Sequence, residues 1–515
     1  MSFPLNTERN KSQPLKFLFV HSWNGFSLAF WYLREALASG CSVPVRFRSF
    51  DLPVAGTPAN DIFPRMVSAW QPDILGFSCH YWNLAAVLEA ATDAKFLKPD
   101  VRIVLGGPQV NSVRAAEEVL SKCPSADYVI RGAGEESLCR LIESLAGKTA
   151  PESVPGISLR IDKRYQHAVC KADARWKRGP VFHEKNAEMH ELIEEFREIS
   201  YETISGCVYQ CVYCYYPNAK FELLDDDLIL SELTYLCSRK VPIIRICDTH
   251  FGGTKERAKM LLRHFQKINQ CSRIMIYPDL LHVDAEYVRL IRDAGVHATS
   301  IGIQTTNTRS LDVVRRPEKH KHIEAIKLML NAFPDIPADV IIGLPGDDIT
   351  GLEKTFRGVL DLGFTNVNVF RLMLFPGTEL SENTPMYLGE GDIRLSSHGQ
   401  VLSSPGFPRE SQGKIADLVH ALEIACRLPA TRKTLSGNQS GSHVMDLASH
   451  LNSEQLLDLL SCIRSSNSAL LRNKFAQIIS LIAGKFGGGP DINDAITLDL
   501  AKILQQLDER TKISA

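Results

Sequence analysis

Three cysteines in the stretch SGCVYQCVYCYYP (205–217), Cys207, Cys211 and Cys214, stand at C-x3-C-x2-C spacing. Thiolates this close together bind a metal or a metal cluster. Structural zinc takes four ligands in a closed tetrahedron, usually from paired cysteines and a distant second pair or histidines; here Cys247 or His250 has to complete it. An iron–sulfur cluster held by three cysteines instead leaves one iron open to a small molecule, and that iron becomes the site of chemistry. The other cysteines of the 13 in the chain, such as Cys79 and Cys139, sit singly in apolar runs and read as free thiols.

The cysteines directly follow an apolar run at 198–205. Further runs come at 241–248, 272–277, 297–304, 336–343 and 366–373, with helical periodicity between them. Six βα repeats suit a partial (β/α)6 barrel, and the cysteines then fall on its C-terminal rim, where barrel sites are built. Residues 1–147 alternate in the same way: KFLFVHSW, VPVRFRSF, PDILGFSC, VRIVLGG and ADYVIRG are separated by amphipathic stretches. Five such strands predict a doubly wound, flavodoxin-like (Rossmann-type) α/β domain. Residues 148–195 are polar and read as a linker or connecting segment, the barrel occupies 196–400, and 401–515 show only helical periodicity, a C-terminal helical domain.

With 515 residues, 44% of them hydrophobic and 23% charged, the chain has the composition of a soluble protein of two or three domains. A net charge of −1 without a basic face argues against a nucleic-acid partner. The N-terminus has no signal-peptide pattern and no stretch reaches the length of a membrane span, so the expected location is cytoplasmic, with no membrane partner.

The C-x3-C-x-aromatic-C pattern, with Tyr213 as the aromatic, resembles the signature of the radical S-adenosylmethionine (SAM) enzymes. The resemblance implies a 4Fe-4S cluster on Cys207, Cys211 and Cys214 whose open iron is chelated by SAM. In VPIIRICDTHF, Asp248 stands where that family meets the SAM amine, and His250 is a candidate substrate-facing acid or base. Gln304, at the end of SIGIQ, and Arg316 resemble the ribose-binding glutamine and carboxylate-binding arginine of the coproporphyrinogen-oxidase-like branch. ADVIIGLPGD resembles the fifth-strand motif, where Gly343 lets the backbone approach adenine. Tyr213 is then a candidate wall for the adenine and Tyr215 a candidate substrate-facing residue.

In a doubly wound sheet, ligands bind outside the carboxyl ends of the strands. That points to HSWNGFS, SCHYWN, GGPQVN and RGAGEE, and their glycines Gly106, Gly107, Gly132 and Gly134 offer close backbone approach. These segments together resemble the cobalamin-binding domain that precedes the barrel in cobalamin-dependent radical SAM enzymes. The resemblance implies cobalamin contacts from Trp23, Asn24, Ser78, His80, Trp82, Gly106, Gly107, Gly132, Gly134 and Glu135. The D-x-H-x-x-G loop that supplies a cobalt-binding histidine elsewhere is missing, so no lower axial ligand is assigned, although His80 and Trp82 are candidates to face that side of the corrin.

The expected function is a class B methylase-like enzyme. It would methylate an unactivated carbon of a natural-product or peptide substrate, using methylcobalamin, a 5′-deoxyadenosyl radical and an external one-electron reductant of the flavodoxin or ferredoxin type. The alternative within the branch is a cyclase or ring-rearranging enzyme without methyl transfer. A zinc-stabilised, non-catalytic binding protein is the reading from a different class.

Overall fold

The computed structural model describes residues 13–427, except 23–25, 53–61, 171–177, 187–188, 192, 194–195 and 217–220. Trp23 and Asn24, and the expected helical domain beyond residue 427, lie outside the described residues.

The first sheet holds β1 (Leu15–His21), β2 (Val45–Asp51), β3 (Ile74–Ser78), β4 (Arg102–Gly106), β5 (Tyr128–Ile130), β6 (Ile157–Ile161) and β7 (Arg164–His167) in the order β2-β1-β3-β4-β5-β6-β7. The first five are parallel, in the doubly wound arrangement expected. Alternation along β1 shows why the sheet is covered on both faces: Phe17 and Phe19 enter one core, Leu18 and Val20 the other. Within the connecting segment, β6 and β7 form an antiparallel hairpin that extends this sheet beyond β5. Helices α1 (Leu28–Gly40), α2 (Ile62–Trp70), α3 (Leu84–Leu97), α4 (Val113–Lys122) and α5 (Gly134–Leu145) form the crossovers. Ser27 and Ser112 cap α1 and α4 by accepting from Phe30 N and Ala115 N.

The barrel strands are β8 (Glu198–Tyr201), β11 (Ile243–Ile246), β12 (Arg273–Ile276), β13 (Val296–Ala298), β14 (Ile301–Gln304), β15 (Ala338–Ile342) and β16 (Val367–Arg371). All their pairings are parallel. The fourth sequence run is split: Thr299 N donates to Ile276 and Ile301 N to Pro337, so the chain passes from a four-stranded sheet to a three-stranded one at residues 299–300. A short ribbon of β9 (Ile204–Ser205) and β10 (Glu222–Leu223) closes the base of the cysteine loop. Asp, Asn or Thr caps start four of the outer helices, at Thr254, Asp284, Asn307 and Asp348.

The two units share one apolar core, which runs from Trp31 and Tyr32 of α1 through Phe26 and Phe182 to Ile199 and Tyr201 of β8. No helix among the described residues is long and apolar enough to cross a membrane.

Candidate active site

The cysteine loop is pinned on every side. Val212 N donates to Val314 O at 3.3 Å, Leu380 N donates to Val212 O at 2.9 Å, and Thr249 Oγ1 donates to Gly206 O at 3.0 Å. Cys214 N donates to Cys211 O at 3.1 Å, which turns the loop back on itself. Cys211 is 4% exposed, and Cys207 and Cys214 are half-buried. Burial pushes the Cys214 thiol up to about 11, so a bound metal has to supply the charge that keeps it a thiolate. Among the described residues no three His, Cys, Asp or Glu side chains surround a point that one ion can occupy.

Arg316 reaches the cysteines because of the turn before it. The helix Thr308–Val313 ends with Arg315 in the left-handed region (φ 54°), and Arg316 N bonds back to Leu311 O at 2.9 Å, a Schellman closure without glycine. That turn sends the two arginines apart. Arg315 goes outward to a two-point ion pair with Glu379, while Arg316 goes inward, its Nη1 3.8 Å from Cys211 Sγ and its Nη2 2.8 Å from Gly302 O.

Gln304 is also left-handed (φ 69°), after an irregularity in register between Gly302 and Gln304. For a residue with a side chain this conformation costs about 1–3 kcal/mol and is kept where the local structure is functional. Gln304 and Arg316 converge over Gly302: a Cβ there would lie 2.7 Å from Gln304 Nε2 and 2.8 Å from Arg316 Nη2. Tyr213 packs in the same corner. Its hydroxyl and Arg316 Nε are buried without hydrogen-bond partners, orphaned polar atoms that a polar ligand beside Cys211 would satisfy. Gly343 has φ 93°, and a Cβ there would touch Leu372 Cβ at 3.6 Å. These residues fit a 4Fe-4S cluster with SAM. Gly302 was not singled out from the sequence, since a lone strand glycine carries no motif. Gly302→Ala is expected to weaken SAM binding about tenfold (~1.4 kcal/mol) while hardly moving the melting temperature, because only flexible side-chain ends must shift. Equilibrium dialysis alongside thermal melts checks it; unchanged affinity would show that the two heads do not need to meet.

Two expected site residues are placed elsewhere. Asp248 is 2% exposed, and its carboxylate accepts from Thr203 N (2.7 Å), Thr203 Oγ1 (2.5 Å), Ile204 N (3.2 Å) and Gly252 N (3.0 Å). All its bonds go to the fold, so it anchors the strand end that launches the cysteine loop and does not present a carboxylate to an ammonium. His250 is 1% exposed, behind the loop among Tyr209, Phe221 and His282, and burial lowers its pKa. A side chain sealed there does not face substrate.

On the first sheet an open cleft of about 200 Å³ lies where the strand order reverses. Ser78, Gly106, Gly107, Gly132, Gly134 and Glu135, all expected from the sequence, line it. Its apolar wall, Phe17, Phe19, Leu33 and Leu138, was not anticipated, because the sequence reading considered only loops. Gly107 has φ 101°, and a Cβ there would stand 2.8 Å from Cys79 O. No side chain caps α5, whose first turn lines the cleft. An apolar cradle of glycine-bearing strand ends fits the planar, bulky cobalamin. His80 and Trp82 stack at 4.3 Å beyond Ser78, and burial pushes His80 down to about 4, leaving its imidazole neutral.

The two rims meet. Tyr215 packs against Phe375 at 4.4 Å with the rings tilted by 34°, Phe375 lies 6.1 Å from Tyr81, and Tyr81 meets Trp82 at 4.9 Å. Beside them Gly377, in the turn after β16, lies against Asn111 and Ser112 at the start of α4.

The comparisons with known proteins agree with this geometry. Residues 24–142 match the B12 binding domain and residues 201–359 the radical SAM superfamily. The chain is 23% identical to the cobalamin-dependent radical SAM methyltransferase TokK of Streptomyces tokunonensis, over 66% of its own length and 52% of TokK's. It therefore spans about half the length of that curated relative. It is 33% identical to the hopanoid C-3 methylase of Methylococcus capsulatus over 65% of each chain. The cobalamin-dependent SAM radical enzyme OxsB, with aqua-cobalamin and SAM bound, shares the fold at a TM-score of 0.65 and 15% identity, covering 97% of this chain and 80% of OxsB. The chain thus carries a region that matches the B12 binding domain followed by one that matches the radical SAM superfamily.

Proposed function

We propose that the protein is a cobalamin-dependent radical SAM methyltransferase that methylates an unactivated carbon of a small natural product or peptide. The observation that carries this is the meeting of the two rims through Tyr215, Phe375 and Tyr81, which brings the end of the cysteine loop beside the loop that follows β3 of the first sheet. When bound, the cluster with SAM supplies one-electron hydrogen abstraction and the corrin a transferable methyl group. The chain supplies the rest. Arg316 offers a planar fork for a carboxylate, Gln304 an amide for ribose hydroxyls, and Tyr213 a flat wall beside both. The aromatic rings between the domains would serve to exclude water from a reactive carbon held beside them. The methylase names of TokK and the hopanoid enzyme favour methyl transfer.

Incubation of the reconstituted protein with methyl-labelled SAM, a one-electron reductant and candidate substrates tests the reading. Label in the product together with 5′-deoxyadenosine is the expected result. Unlabelled product with 5′-deoxyadenosine would replace methyl transfer with cyclisation or rearrangement.

A further inference from the structure

Behind the cysteine loop lies a buried ionic group that the proposed chemistry leaves unused. Tyr209, between Cys207 and Cys211, donates its hydroxyl to Asp279 Oδ2. Lys319 Nζ stands 3.1 Å from Asp279 Oδ1, the two side chains being 8% and 1% exposed. The same ammonium lies 5.0 Å from the centre of the Tyr209 ring. Leu281 N gives Asp279 another bond at 3.2 Å. Lys319 follows Arg316 by three residues, and its ammonium is close enough to Arg316 and Cys211 that their charges affect its ionisation. Burial works to raise the Asp279 carboxyl, but Lys319 and the Tyr209 hydroxyl overcome it and hold it at about 2, while burial lowers the Lys319 pKa and the adjacent Asp279 carboxylate works against that.

Taking a lysine and an aspartate out of water costs several kcal/mol per ion, and an apolar pair of similar volume commonly does at least as well for stability. Their burial beside the thiols therefore calls for an account other than stability. Fixed charges in a dry interior act over several ångströms with little screening. One-electron reduction of a cluster adds one negative charge to it, which a neighbouring cation favours and a neighbouring anion opposes. We propose that Lys319 and Asp279, held in place by Tyr209, set the reduction potential of the cluster on Cys207, Cys211 and Cys214, Lys319 raising it and Asp279 lowering it. The inference rests on the radical SAM reading of that loop. The step is the uptake of one electron from an external one-electron reductant, and no bond forms or breaks in it.

The test is a redox titration with dithionite and mediators, followed by electron paramagnetic resonance, on anaerobically reconstituted full-length protein and on Lys319→Met, Asp279→Asn and Tyr209→Phe. At a fixed potential, Lys319→Met is expected to lower the ratio of reduced to oxidised cluster about tenfold and Asp279→Asn to raise it about tenfold, each a shift of about 59 mV for one electron. Tyr209→Phe keeps both charges and is expected to shift the ratio far less. Shifts of the same sign in the two charge variants, or none in either at full iron content, would overturn the proposal and leave the ion pair as a loop staple. If Lys319→Met does not retain iron, the sign of Asp279→Asn decides alone. A wild-type protein that takes up no cluster would instead overturn the cofactor reading itself.

Discussion

Cys211→Ala is expected to remove the cluster and with it all formation of 5′-deoxyadenosine above background. Cys211 is the most buried of the three loop thiols, and Arg316 Nη1 approaches its sulfur at 3.8 Å, so it joins the cluster ligands to the residues proposed to hold SAM. Losing it leaves two protein thiolates for four irons, and Cys247, the nearest cysteine in sequence among the described residues after the loop and Cys237, is turned away: it follows β11, and its Sγ is directed to Arg245 O at 3.6 Å. Iron and sulfide content after reconstitution, with the visible absorbance of the cluster, checks the expectation. Cys247→Ala serves as the control and should keep full iron. Wild-type iron in Cys211→Ala would move the cluster elsewhere and undo the assignment of the loop.

Glu232→Ala is expected to cost about 3–5 kcal/mol, the largest stability effect anticipated here. Glu232, in the helix Asp226–Ser238, is fully buried and accepts from Val181 N (2.6 Å), Phe182 N (3.0 Å) and Tyr201 Oη (2.7 Å). Its other oxygen stands 2.8 Å from Arg178, whose guanidinium lies 4.8 Å from the ring centre of Tyr32 on α1. The carboxylate thus joins the first barrel strand, the connecting segment and the first domain. Removing it alone leaves a buried guanidinium without its counter-charge and two backbone N–H groups without their acceptor. Thermal unfolding should show a fall of roughly 10 °C, from the 2–4 °C per kcal/mol usual for units of this size. Arg178→Met combined with Glu232→Leu is expected to recover part of the loss, since it removes the desolvation cost together with the attraction. A single substitution costing under ~1 kcal/mol would mean the ion pair does not hold the units together.

Much of the architecture was legible in the residues. The continuous apolar runs of β1, β3 and β4 and the helical patterns between them marked a doubly wound sheet, and six apolar runs marked the barrel. The cysteines, Tyr213, Gln304 and Arg316 were readable because each is held to a backbone position that local sequence sets: a loop after a strand, a strand end, a helix exit. Asp248 and His250 were read as ligand-facing because a carboxylate and an imidazole at a strand end have that chemistry. Whether such a group turns to ligand or into the fold depends on donors from elsewhere in the chain, here Thr203 and Gly252, and no local pattern reports them.

The sequence by itself determined which groups are candidates to bind iron, SAM and a corrin, because thiol spacing, strand-end glycines and a helix exit are local properties of the chain. Only the tertiary structure decided which of those groups remain open. Gly302 matters because Gln304 and Arg316 close over it, and Lys319 because it meets Asp279 from a loop forty residues away. Likewise Tyr215 and Tyr81 face each other only through Phe375. Electrostatics and packing act through space, and the fold brings together side chains that the sequence keeps far apart.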